Sequence, residues 1–123
     1  MPITPVYTDL LSSNNGSVKQ FTWALTTAVP DGVPMEWIEW ADRTWQAVGA
    51  FGGATVSIQG SNDGTNWFSL TNAAGGAVVS FTAAGGAATI ELPRYVRPNL
   101  TVVGSGAAIT VIVVARRANP MRA

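Results

Sequence analysis

The chain of 123 residues contains no cysteine and no histidine. The first absence excludes a disulfide framework, a thiolate metal site and a cysteine nucleophile. The second removes the commonest metal ligand, the usual general base and the usual switch near neutral pH. Charge is scarce: seven Lys and Arg balance seven Asp and Glu, and charged residues make up 11% of the chain. A nucleic-acid binder draws most of its affinity from phosphate neutralisation by a basic stripe. The only basic cluster here is the C-terminal "ARRANPMRA", which reads as a solvated or docking end, so no nucleic-acid partner is expected. No uninterrupted apolar run approaches the roughly 20 residues of a membrane span. The opening "MPITPVYTDLLSS" has neither the basic segment nor the long apolar segment of a signal peptide. A soluble, cytoplasmically made chain without a membrane partner is therefore expected.

Catalytic groups are equally thin. The acids are Asp9, Asp31, Glu36, Glu39, Asp42, Asp63 and Glu91. Glu36 and Glu39 stand three apart and read as solvated neighbours rather than a hydrolytic carboxylate pair. There is no nucleophile elbow. The glycine-rich "GGAVVS" and "AAGGAA" lack the lysine and the following helix of a phosphate loop. These features predict no enzymatic activity, no cofactor and no metal.

What is present is alternation. Hydrophobic residues make up 47% of the chain. In "KQFTWALTTAV", Phe21, Trp23 and Leu25 fall on one face. In "ATVSIQG", Ala54, Val56 and Ile58 oppose Thr55, Ser57 and Gln59. In "RYVRPNLTVV", Tyr95, Arg97 and Asn99 oppose Val96, Pro98 and Leu100. Period-two patterns rich in β-branched and aromatic residues mark half-buried strands. "AAITVIVVARR" is apolar on both faces, as for a central strand or one whose outer face meets another subunit. "WFSLTN", "GGAVVSFTAAGG" and "AATIELP" read as further short strands, and Pro98, which lacks a backbone donor, as an edge or bulge position. Within "MEWIEWADRTWQAVGAF", Thr44–Phe51 reads as a strand and "ADR" as its lead-in turn, while Met35–Trp40 fits either a short helix or a strand.

Short strands spaced about ten residues apart, with Gly and Asn between them, predict a single antiparallel β-sandwich, Ig-like or jelly-roll-like. The expected organisation is an extended N-terminal arm over 1–18, the sandwich over 19–117 and a C-terminal tail over 118–123. Of the five tryptophans, Trp23, Trp45 and Trp67 are expected in or beside the core. Trp37 and Trp40 are candidates for an interface, where aromatic anchors concentrate. "SNDGTNW" reads as a hairpin turn in which Asp63 and Gly64 supply the tight bend. A lone Asp argues against a calcium loop there.

Three stretches, "FGGATVSIQGSNDGTNWFSL", "VSFTAAGGAATIELPRYVRPNLTV" and "GAAITVIVVARR", resemble small virion proteins of tailed bacteriophages, among them head decoration (cement) proteins. The similarity spans roughly Ala47 to Arg117. It implies a structural protein on the phage head surface, made in the host bacterial cytoplasm, that binds the assembled major capsid protein as a homo-oligomer, trimer or dimer. The contact residues expected on this reading are Ile3, Val6, Tyr7, Leu10 and Leu11 of the arm, with Trp37, Trp40, Arg116 and Arg117. The alternatives are a sandwich that binds a host-surface glycan and a low-copy head-completion or tail component.

Overall fold

The computed structural model describes residues 6–9, 18–36, 40–91 and 93–117. Among them there is no helix, and the strands are β1 (Val6–Asp9), β2 (Val18–Thr26), β3 (Met35–Glu36), β4 (Trp40–Ala50), β5 (Thr55–Ser61), β6 (Phe68–Ser69), β7 (Ser80–Phe81), β8 (Gly85–Ala88), β9 (Tyr95–Val102) and β10 (Ala108–Arg117). They form two antiparallel sheets, one ordered β1-β2-β10-β4-β8 and the other β3-β9-β5-β6, with β7 also on β5. The protein is all-β, a β-sandwich.

The alternation seen in the sequence sets which side chains enter the core. Phe21, Trp23 and Leu25 from β2, Ile109, Val111 and Val113 from β10, and Trp45 and Ala47 from β4 point inward from the first sheet. Val56, Ile58, Val96 and Leu100 meet them from the second. At the centre Trp23 and Trp45 stack, with centroids 5.8 Å apart and planes 22° apart. Both are fully buried, so each indole N–H needs an acceptor. Trp23 Nε1 donates to the Val33 carbonyl at 3.2 Å and Trp45 Nε1 to Thr89 Oγ1 at 3.2 Å. The two bonds tie the core to opposite flanks of the sandwich.

One flank is closed by a chain that changes sheets. Leu70 N donates to the Ile58 carbonyl of the second sheet, while Ala73 N donates to the Ala88 carbonyl of the first. Between them the Glu91 carboxylate accepts from Thr71 N at 2.8 Å and from Thr71 Oγ1. Burial alone would raise the Glu91 pKa; the two bonds from Thr71 outweigh it and hold the carboxyl below its ordinary value.

Several expectations change in detail. Trp40–Arg43 is the start of β4, not a lead-in turn. Met35–Glu36 is strand, paired with Tyr95 and Val96, and residues 37–39 lie outside the described residues. Two of the three expected short strands shrink to two-residue β6 and β7, placed end to end on one edge of β5; in place of the third, over 87–93, β8 covers Gly85–Ala88 and starts on the glycine pair expected to separate strands. Within the expected arm, Val6–Asp9 lies against β2, with Tyr7 opposite Phe21. Pro98 sits in an inner strand, but at its level the outer neighbour is the segment before β3, where Gly32 N donates to the Pro98 carbonyl. The nitrogen of Pro98 faces the same way and has no hydrogen to return to the Gly32 carbonyl, so this pair keeps one ladder bond of two.

Candidate functional site

The "SNDGTNW" turn is built from local hydrogen bonds. Asp63 Oδ1 accepts from Ser61 Oγ, Thr65 N and Asn66 N at 2.8–2.9 Å, and Oδ2 accepts from Asn66 Nδ2 at 2.9 Å. The bonds from Asn66 come first among the causes that hold the Asp63 carboxyl well below its usual range. Gly64 has φ of 75°, a conformation that disfavours side chains, and its N–H is held by Ser61 Oγ at 2.8 Å. Asn62 Oδ1 accepts from Arg94 N at 3.0 Å and fastens the turn to the start of β9. All of this carboxylate's bonds are internal to the turn, so the arrangement acts as a structural clasp.

That clasp leads onto the outer face of the second sheet, which carries a run of paired polar and aromatic groups. Arg94 Nε donates to Glu36 Oε2 at 2.6 Å, and the Arg94 guanidinium lies 5.0 Å from the Tyr95 ring centroid. The bond to Glu36 raises the Arg94 pKa above its ordinary value. Both partners are about half exposed (50% and 52%), so the pair adds little stability. Arg97 Nε donates to Gln59 Oε1 at 2.9 Å and its guanidinium stacks 4.1 Å above Trp67. Burial lowers the Arg97 pKa, with Asp31 pulling the other way. Ser57 and Thr101 share a hydroxyl hydrogen bond at 3.3 Å. Trp67, expected in or beside the core, instead lies half-buried on this outer face, with one ring face occupied by arginine.

The sequence-predicted contact residues lie elsewhere. Arg117 is in register with Trp40, and Arg116 stands between Val18 on one side and Ala41 on the other. β1 carries Val6 and Tyr7 along the adjacent edge and runs toward that same end, Asp9 opposite Lys19. Segments far apart in sequence therefore meet at one end of the first sheet. Ile3, Leu10, Leu11 and Trp37 lie outside the described residues. Asp63 and Gly64 lie on the β5–β6 turn of the second sheet, beside Tyr95.

Sequence reasoning missed Arg43. It alternates with Trp45 and Ala47 on the inward face of β4 and is 1% exposed. Burial pulls its guanidinium down to about 10. Period-two parity with Trp45 was the available signal, overridden by the charge of "ADR". Among the described residues no group of three His, Cys, Asp or Glu is placed to hold a metal ion, and Glu36 is engaged by Arg94. No family model, no curated protein and no solved structure matches this chain.

Proposed function

We propose that this chain is a structural virion protein that binds the outside of an assembled phage capsid and stabilises it. The observation that carries the reading is the convergence of β1, the start of β4 and the end of β10 at one end of the first sheet, which gathers Trp40, Arg116 and Arg117 into one region. The resemblance over Ala47–Arg117 supports the same reading. A decoration protein needs one contiguous contact region, with no chemistry to perform. Its effect is by mass action: anything that binds the assembled shell and not the free capsid subunits favours assembly. Repetition over a symmetric lattice multiplies modest contacts through effective concentration.

The test is co-sedimentation of the purified chain with capsid shells. Deleting residues 1–17 should release the protein from shells while its β-sheet circular dichroism is retained, and Arg116→Ala with Arg117→Ala should lower occupancy severalfold. Full occupancy in both variants would overturn the reading. Densitometry of purified virions separates this role from a low-copy tail or head-completion part: decoration requires hundreds of copies per particle.

A further inference from the structure

Most of the outer face of the first sheet lies away from the region just described, which borders it at Arg116. Outward positions alternate with the core positions along each strand: Gln20 to Thr26 on β2, Ala108 to Val114 on β10, Thr44 to Ala50 on β4, and Gly86 with Ala88 on β8. Every one of these is Thr, Gln, Ala, Gly, Val or Ile, and none is charged. The central row, in register across the sheet, is Thr22, Ile112, Gln46 and Gly86. Among the described residues, none of Gln20, Thr22, Thr44, Gln46 and Thr110 makes a side-chain hydrogen bond.

We infer that this face is the contact between two copies of the chain, packed sheet against sheet about a two-fold axis near Ile112. Three observations point to a second copy. The mark of an interface core is depletion of charge rather than high hydrophobicity, and these outward positions carry no charge from Thr26 to Gln20 on β2 and from Ala108 to Val114 on β10; the first charged side chain beyond them is the exposed Arg116, at the end of the face. A two-fold contact brings a patch against itself, so a charge close to the axis would meet its own sign; an uncharged patch is complementary to itself, whereas it offers a charged partner nothing to pair with. Finally, four strand spacings by seven residues of rise give a flat footprint of about 450 Å² per copy. Side-chain relief and the neighbouring β1 bring the pair to the roughly 1,000 Å² that a specific interface needs. This is a modest area, so the dimer is concentration-dependent. The inference is separate from the shell reading except at Arg116, which borders this face one outward position beyond Val114; the rest of the region proposed for the shell lies at the end of the sheet.

Sedimentation equilibrium of the full chain up to about 300 μM detects a Kd of that order. The chain should approach twice its mass of 12.8 kDa. The double variant Thr44→Arg with Gln46→Arg, at two exposed positions that leave the core untouched, should weaken dimerisation at least tenfold and keep the wild-type circular dichroism. Thr101→Arg, on the other sheet, should leave it unchanged. A wild-type chain that stays monomeric, a double variant that still dimerises, or equal dissociation by Thr101→Arg each overturns the inference. A monomer whose double variant loses shell occupancy would assign the face to a capsid protein: the second copy falls, and the shell reading survives.

Discussion

The two sheets share one core yet present opposite exteriors. On the second sheet the outward groups satisfy one another: Arg94 with Glu36, Arg97 with Gln59 and Trp67, Ser57 with Thr101. On the first, the outward residues short of Arg116 are Thr, Gln, Ala, Gly, Val or Ile, and among the described residues the side chains of Gln20, Thr22, Thr44, Gln46 and Thr110 make no hydrogen bond to protein. Cross-strand pairing of side chains stabilises a sheet from within. A face that does so is nearly complete as it stands, with Asn99 Oδ1 its buried atom left unpartnered, whereas a face that relies on shape alone gains most from being covered. The difference locates the surface best suited to another protein away from the tryptophans and arginines that attract attention in the sequence.

The largest expected effect tests the shared core. Trp45→Ala removes the stacked ring and its bond to Thr89, and should cost about 3–5 kcal/mol. Urea denaturation should remain one transition; two separated steps would mean that the exteriors rest on separate cores. Next is a change confined to the first sheet. Gly49 has φ of 122°, and a Cβ there would lie 2.3 Å from the Ala108 carbonyl oxygen. Gly49→Ala should cost about 2–3 kcal/mol, and an effect under about 0.5 kcal/mol would show that the β4–β10 pairing yields easily.

On the second sheet, Arg97→Ala removes a hydrogen bond and a cation–π contact, a loss of about 1–2 kcal/mol. It should also change the fluorescence of Trp67. Arg97→Lys should recover only part, since the planar fork is lost. An unaltered emission spectrum would mean that the exterior of this sheet is not held by its own pairs. The smallest effect is at the turn: Asp63→Ala should lower Tm by a few degrees at neutral pH. The sign of its pH dependence follows from the depressed folded-state pKa. Its contribution is fully present above the ordinary carboxylate pKa of about 4, and is lost as the pH falls through the folded value. The gap in Tm between wild type and variant should therefore hold from neutrality down to about pH 4 and close only in stronger acid.

Legibility in the sequence tracked locality. The strands around Trp23, Ile58, Val96 and Val111 show period-two alternation, and the structure places them as read. The turn at Asp63 and Gly64 was legible because its bonds come from residues 61–66; that the Asp63 carboxylate gathers four of them was not. Arg43 was hidden because charge outweighs parity in a sequence reading, and only packing against a completed core reverses that order. Pieces as short as Phe68–Ser69 carry too few residues to show any period. The pairing of Arg97 with Trp67 was illegible for a different reason: it joins residues on separate strands, brought together by where β6 and β9 lie on β5.

By itself the sequence determined which residues share a strand face and where the chain turns, because pleat alternation and turn geometry depend on neighbouring residues only. Strand order, the closing of one flank through Thr71 and Glu91, and the choice of which exterior stays uncharged were decided by tertiary structure. Strand pairing is a long-range selection: many registers satisfy the backbone equally, and the one adopted lets Trp23 and Trp45 stack in the core while both indole N–H groups find acceptors.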